Sequence, residues 1–321
     1  MFNVALLGCW HVHAKDYAQE IGRVAGAKLA AVWDNDPARG GQLAAQFNVP
    51  FVPNLEAVLA DRSIDGVIIT TETTAHVEII TKAADAGKHV FTEKVLAPTV
   101  AECRQIKAAL DRNRVRFCVS LPQRTFKHNL FAKKTLDSGV LGKLTYLRIR
   151  NAHGGAIAGW LPDRFYNNAE AGGGAMLDLG AHPMYLIRWL LGRPQSVVSA
   201  FTELANKGTD DNCVSVFTYK DGVVAVSETS FVSPFSPFTL EAYGTTGTLL
   251  IQRIGSTLQI KLHTNGTWSD ADASNESDIP SALTQWTTGN ILFDYAAAEA
   301  LTEMMEHAYL AHHTGQRAIF E

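Results

Sequence analysis

No apolar run in this chain reaches the roughly 18 residues that a bilayer-crossing helix needs, which excludes a helical membrane span. Excess charge of one sign is lacking too: 28 Lys and Arg stand against 32 Asp and Glu, a formal net charge of −4. That balance leaves no electrostatic footprint for nucleic acid or for an anionic membrane surface. Cysteine is scarce: Cys9, Cys103, Cys118 and Cys213 are far apart, with no C-x-x-C pair. A disulfide framework is thereby excluded. Free thiols in a reducing compartment are expected, and with them a cytoplasmic location. The opening residues Met1-Phe2-Asn3-Val4-Ala5-Leu6-Leu7-Gly8 lack a charged n-region and a small-residue cleavage site. They read as a strand rather than a signal peptide. Internal repeats and low-complexity linkers are absent as well.

What is present is a chain of 321 residues, 46% hydrophobic and 19% charged, with room for two globular domains. In the first part, Val- and Ile-rich runs at 4–7, 28–33, 64–70, His89–Thr92 and 115–121 alternate with helical spacing at 12–24, 38–47, Leu55–Ala60, 75–86 and 100–112. This alternation predicts an α/β domain, a doubly wound parallel sheet of the Rossmann type covered on both faces. The pattern changes after residue 121. Residues 125–136 read as a helix, 144–151 as a strand, and 196–262 as several strands joined by tight turns such as Lys220-Asp221-Gly222 and Gly244-Thr245-Thr246-Gly247. Short turns imply a large, mostly antiparallel sheet in an α+β domain. The polar stretch 265–277 reads as a surface loop, and 293–311 returns to helical spacing. The expected division is residues 1–121 and residues 122–321.

The turn after the first run is Gly8-Cys9-Trp10-His11-Val12-His13. A dinucleotide fingerprint there would be G-x-G-x-x-G/A. Only Gly8 matches; Trp10 and His13 stand at the second and third glycine positions. Asp34 follows 26 residues after Gly8, at the end of the second run. An acidic residue there accepts hydrogen bonds from the adenosine ribose hydroxyls and repels a 2′-phosphate, so NAD is expected over NADP. The competing reading has Asp34 merely opening the Asp34-Asn35-Asp36-Pro37 turn. Arg39, able to pair with a 2′-phosphate, keeps NADP as the lesser alternative. His11 and His13 form an H-x-H pair, but no carboxylate or cysteine cluster stands at ligand spacing nearby. No metal is expected, and the two side chains are expected to line the cofactor turn or cap the next helix.

The segment Gly172-Gly173-Gly174-Ala175-Met176-Leu177-Asp178-Leu179-Gly180-Ala181-His182 sets a carboxylate and an imidazole four positions apart behind three glycines. On a helix, Asp178 and His182 would share a face. The glycines would let a backbone or a ligand approach closely. Against this, the glycines fit a plain loop with Asp178 at a helix start, and Pro183 biases His182 away from helical dihedrals. After the His89–Thr92 run come Glu93-Lys94-Val95-Leu96-Ala97-Pro98. A lysine at the carboxyl end of a sheet strand points into the ligand crevice of a doubly wound fold; the competing reading is a solvated strand-end lysine.

Glu93-Lys94 followed by Leu96-Ala97 resembles the E-K-P motif of the Gfo/Idh/MocA oxidoreductases, with Val95 at the proline position. Gly172 to His182 resembles that family's G-G-G-x-x-x-D-x-G-x-H segment. Ile69-Thr70-Thr71 with His76 resembles its cofactor-contacting segment, and Gly244-Thr245-Thr246-Gly247-Thr248-Leu249 its late-sheet turn. The resemblance runs over nearly the whole chain. It implies an NAD(P)-dependent dehydrogenase or reductase acting on CH–OH groups of a sugar, inositol or related polyol. It gives residues 1–121 to dinucleotide binding and 122–321 to substrate binding and oligomerisation. Cofactor binding falls to Gly8, Trp10, His11, Asp34, Thr71, His76, Glu93 and Lys94.

By the same resemblance Lys94, Asp178 and His182 are catalytic and bind substrate, meeting in the cleft between the domains. His182 would take the hydroxyl proton, Lys94 would stabilise the developing alkoxide, and Asp178 would bind a neighbouring hydroxyl or orient the pair. Trp160, Arg164 and Tyr166 either line the sugar pocket or pack the core. Gln123 and Arg124 are open in the same way. The antiparallel sheet needs one face covered; in the family it resembles, the open face serves oligomerisation, which implies a homodimer or homotetramer. The expected partner is a small sugar or polyol, without nucleic acid or membrane. The alternative, motivated by Trp10 and Val95, is a nucleotide-binding sensor or regulator of the same fold that has lost catalysis.

Overall fold

The computed structural model describes all 321 residues. The chain divides into two compact units. One holds Met1–Ser120, Ala169–Ala171 and Pro280–Thr302; the other holds Leu121–Asn168, Gly172–Ile279 and Glu303–Glu321.

The first unit is built on β1 (Phe2–Leu7), β2 (Ala27–Trp33), β3 (Gly66–Ile69), β4 (His89–Thr92) and β5 (Phe117–Val119), all parallel in the order β2-β1-β3-β4-β5. Helices connect the strands, so both faces are covered and the strands are continuous apolar runs. Leu6, Leu7, Val67, Ile68 and Ile69 are fully buried, each stabilising the fold by about 1.5–3 kcal/mol relative to exposure. Helix starts follow local chemistry. Asp36 caps Pro37–Phe47 by accepting from the Ala38 and Arg39 N–H groups, and Thr99 with Glu102 forms a capping box on Val100–Asn113. Strand order reverses at β1 and β3, where such sheets open a crevice at the carboxyl ends of the strands. Gly8, Thr70 and Glu93 lie just past β1, β3 and β4.

The late helix Ala282–Thr288 belongs to this unit. Trp286 is fully buried, with ring centroids 5.2 Å from Phe2 and 5.8 Å from Phe91. Arg116 donates to the Trp286 and Thr287 carbonyls at 2.7 and 2.9 Å. A composition change at residue 121 carries no sign of this return, because the contact is made more than 160 residues later in the chain.

The second unit is built on β6 (Leu144–Ala152), β7 (Ser196–Thr202), β8 (Asn212–Thr218), β9 (Val224–Ser230), β10 (Phe238–Gly244), β11 (Thr248–Ile254), β12 (Thr257–Thr264), β13 (Thr267–Asp270) and β14 (Ala318–Ile319). Their order is β13-β12-β11-β10-β6-β9-β8-β7-β14, antiparallel except for β6 beside β9. Leu147, Ile149, Leu240, Ala242, Leu249 and Ile251 are buried at alternate positions, and the Ala181–Leu191 helix packs on β6 and β9. On the other face Arg148 donates to Glu228 at 2.7 and 2.8 Å and to Glu241 at 2.7 Å.

One expectation is corrected here. Residues 265–277 are not all loop: β13 pairs with β12 in register Leu262↔Ser269 and His263↔Trp268. All four β13 residues are exposed, so no apolar alternation marks the strand. Its signal is the Asn265-Gly266 turn, both residues at positive φ, a pairing suited to tight hairpins. All four cysteines are free and buried, and no helix is long and apolar enough to cross a membrane.

Candidate active site

In the first unit the site begins at Gly8. Its φ is +84°, and a Cβ there would lie 2.7 Å from the Thr71 backbone nitrogen, so only glycine fits. The Gly8 N–H donates to the Trp33 carbonyl at 2.7 Å, and the Thr70 hydroxyl donates to the Gly8 carbonyl. The side chains at the other two fingerprint positions are tied down. Trp10 is buried and its Nε1 donates to Glu170 at 2.7 Å; His13 Nδ1 lies 2.7 Å from Glu93 Oε1.

Asp34 is buried at the end of β2 with both oxygens engaged. Oδ1 accepts from the Asp36 N–H at 2.7 Å and Arg39 Nη2 at 2.6 Å; Oδ2 accepts from the Cys9 N–H at 2.5 Å and Arg39 Nε at 2.9 Å. A carboxylate has about four lone-pair positions, so its acceptor capacity is used up. A ribose hydroxyl reaches Asp34 only by displacing the Arg39 fork.

Glu93 and Lys94 follow β4 and are buried. The Lys94 N–H donates to Glu93 Oε2 at 2.9 Å, and the Tyr17 hydroxyl donates to Oε1. Burial alone would raise the Glu93 pKa, but the positive charges of His11, His13 and Lys94 hold it well below the usual carboxylate range. Tyr17 goes the other way: burial, then the Glu93 charge, pushes its hydroxyl well above the usual value. His76 braces the chain after Lys94, with Nδ1 3.1 and 3.2 Å from the Val95 and Leu96 carbonyls. Burial lowers its pKa, which favours the neutral ring. Two buried atoms here, Thr71 Oγ1 and His76 Nε2, have no hydrogen-bond partner in the chain. An unpaired buried polar atom costs about 1–3 kcal/mol until a ligand or water completes it. With the close turn at Gly8, these atoms fit a polar dinucleotide at the carboxyl ends of β1 and β3.

In the second unit Asp210 organises the glycine run. Its Oδ1 accepts from the Gly174 N–H at 3.0 Å and the Tyr309 hydroxyl at 2.8 Å, and its Oδ2 from the Met176 N–H at 2.8 Å. The Asp210 carbonyl accepts from the Ala175 N–H at 2.7 Å. A Cβ on Gly174 would lie 2.0 Å from that carbonyl oxygen, so the glycine is there for backbone packing. The turns held in this way run from 175 to 180, and the helix starts at Ala181.

Asp178 therefore precedes the helix that carries His182, and the expected shared helical face is not formed. Asp210 captures the N–H groups at 174–176 and starts a separate turn, which ends where Gly180 N–H bonds the Ala175 carbonyl. Pro183 sits in the first helical turn, where a missing N–H costs nothing, and His182 is helical despite preceding it.

His182 is buried, with Nδ1 2.9 Å from the Tyr185 hydroxyl, which also accepts the Gln123 N–H at 2.9 Å. Gln123 is itself fixed by Asn129 Nδ2 at 2.7 and 3.0 Å. Tyr185 was missed in the sequence; its spacing of three from His182 on a helix was the available signal. His153 was missed too. Burial lowers its pKa and the Asp178 charge opposes the shift, so the two are electrostatic neighbours. Trp160, 56% exposed, has its ring 4.6 Å from His153, whereas Tyr166 is buried edge-on to Phe231. Arg164 lies over the Phe165 ring, and Arg124 over Trp189 at 5.1 Å.

Residues 2–121 match the family model described as oxidoreductase family, NAD-binding Rossmann fold, and residues 130–250 match the GFO/IDH/MocA C-terminal domain. The chain is 29% identical over 249 residues to scyllo-inositol 2-dehydrogenase (NAD(+)) of Bacillus subtilis, covering 75% of this chain and 70% of that one. It is 25% identical over 267 residues to 1,5-anhydro-D-fructose reductase of Ensifer adhaerens, covering 80% and 77%. Its fold matches the crystal structure of an NAD-binding protein from Listeria innocua, with TM-score 0.85, 21% identity and coverage of 99% and 96%.

Proposed function

Because the chain belongs to the Gfo/Idh/MocA family of NAD-binding oxidoreductases, we propose that it transfers hydride between NAD and a secondary alcohol, or its ketone, on a sugar, inositol or related polyol. Residues 1–121 serve the cofactor and 122–321 the substrate in this reading. Lys94, Asp178 and His182 carry the chemistry.

The observation that supports it best is the anchoring of His182. The Tyr185 hydroxyl accepts the Gln123 N–H and lies 2.9 Å from His182 Nδ1, so the imidazole ring is held through one nitrogen. In this reading Nε2, the other ring nitrogen, takes the substrate's hydroxyl proton. Lys94 donates to the same substrate oxygen and stabilises its negative charge as the proton leaves. Asp178 binds a neighbouring hydroxyl, with His153 as its electrostatic partner. Bound NAD supplies the hydride acceptor. In Lys94→Ala and His182→Ala, kcat/KM on a panel of inositols and sugars is expected to fall by roughly 10²–10⁴. Turnover near wild type in both variants would sink the assignment.

A sensor reading draws support from the side chains of Trp10 and His13, which stand where the fingerprint has glycine. Calorimetry showing tight NAD binding, with no turnover in either direction on the panel, would favour it. We also read the uncovered face of the second sheet as a self-association surface. Tyr146, Tyr243, Val214 and Val198 share that face with the Arg148–Glu228–Glu241 network. Sedimentation is expected to show a dimer or tetramer; a monomer at micromolar concentration counts against it.

A further inference from the structure

Glu93 receives two imidazoles from a turn 80 residues earlier in the chain. His13 Nδ1 lies 2.7 Å and His11 Nδ1 3.7 Å from Glu93 Oε1, and the three ligand atoms lie within 4.8 Å of one another. Glu93 and His11 are 2% and 6% exposed, and His13 is 38% exposed. The His13 backbone N–H points at His11 Nδ1 at 3.3 Å, so binding an ion there turns that lone pair away from this N–H and releases any proton the ring carries at Nδ1. A tetrahedral ion with bonds near 2.0–2.2 Å spaces its ligand atoms roughly 3.4 Å apart. The observed 2.7 and 3.7 Å bracket that value. Two imidazoles and one carboxylate form a donor set that zinc takes readily.

The carboxylate is already oriented. The Tyr17 hydroxyl donates to Oε1, Ser120 Oγ lies 2.7 Å from that hydroxyl, and the Lys94 N–H holds Oε2. Such outer contacts fix a ligand and raise its affinity for metal. The stretch around the H-x-H pair holds no carboxylate cluster at ligand spacing; the parallel pairing of β1, β3 and β4 brings Glu93 to it.

We infer that His11, His13 and Glu93 form a binding site for a divalent transition-metal ion of the zinc class. The ion replaces the proton on His13 Nδ1, which leaves to solvent, and no covalent bond of the chain changes. The site uses His11 and Glu93, which the family resemblance also gives to cofactor binding; its test needs neither cofactor nor substrate, so it can fail or succeed independently of the proposed activity.

The full chain, stripped with chelator, is titrated with Co²⁺ by visible absorption and with Zn²⁺ by equilibrium dialysis. One ion per chain is expected, with the intense d–d bands of a low-coordinate site. Affinity falls at least tenfold in His13→Ala and in His11→Asn, and by roughly tenfold in Tyr17→Phe, which removes only the outer contact. His313→Ala, an exposed histidine of the Tyr295–Thr314 helix, binds as wild type. Mg²⁺, which prefers oxygen ligands, does not displace Co²⁺ at equal concentration. Circular dichroism identifies which variants are folded. Absence of stoichiometric binding, wild-type affinity in either folded histidine variant, or equal displacement by Mg²⁺ overturns the inference.

Discussion

At the Gly8 turn a single glycine is held between Trp33 and Thr71, and the neighbouring fingerprint positions carry large side chains bonded to Glu170 and Glu93. In the 172–174 run three glycines stand together, and Gly174 is filled by the Asp210 carbonyl rather than open to a ligand. Each region is tied by one saturated aspartate, Asp34 in the first unit and Asp210 in the second. Glycine number is therefore a poor measure of ligand approach. The turn with one glycine gathers the titratable groups, whereas in the run of three Gly174 lets backbone meet backbone and Gly173 makes room for the Tyr309 side chain.

The sharpest way to break this contrast is Asp210→Ala. It strands the Gly174 and Met176 N–H groups and the Tyr309 hydroxyl, and is expected to cost about 4 kcal/mol in urea unfolding. Asp34→Ala is expected to cost about half as much, because Arg39 and the Asp36 N–H can turn to water. Equal losses in the two variants would remove the distinction.

Acid sets His128 against Glu93 next. His128 in the second unit is buried near Phe126 and Phe238, and burial with the Arg253 charge lowers its pKa to about 4. An unfolded histidine titrates near 6.5, so between about 6.5 and 4 only the unfolded chain gains the proton, and stability falls as pH falls. The loss reaches about 3 kcal/mol at the lower end, and His128→Leu is expected to remove it from the pH dependence of urea midpoints. Glu93 in the first unit is depressed instead. Its contribution is intact above the ordinary carboxylate pKa and is lost only as pH falls through the lower folded value. A flat wild-type profile between pH 7 and 4 would contradict the His128 account.

The smallest effect is expected at Arg39. Arg39→Ala frees two acceptor positions on Asp34 and removes a cation that suits a 2′-phosphate. The ratio of NADP to NAD affinity, read by calorimetry, is expected to shift toward NAD by roughly tenfold. An unchanged ratio would show that the fork plays no part in cofactor choice.

Much of the first sheet was legible because its strands are buried on both faces and so appear as unbroken apolar runs, as at Val67, Ile68 and Ile69. The exposed strand β13 left no such trace, and its Asn265-Gly266 turn was the only local sign. Lys94, Asp178 and His182 stood out because a family motif marks them. Tyr185, His153 and Asp210 did not, since each acts through a hydrogen bond or field made only in the folded chain.

By itself, the order of apolar runs and turns determined the two-part α/β and α+β architecture, since burial periodicity is a local property. The place of Asp178 before the helix, the saturation of Asp34 and the approach of His11 and His13 to Glu93 were decided by tertiary structure alone. Each depends on groups distant in the chain competing for the same lone pairs and the same space, which no local pattern encodes.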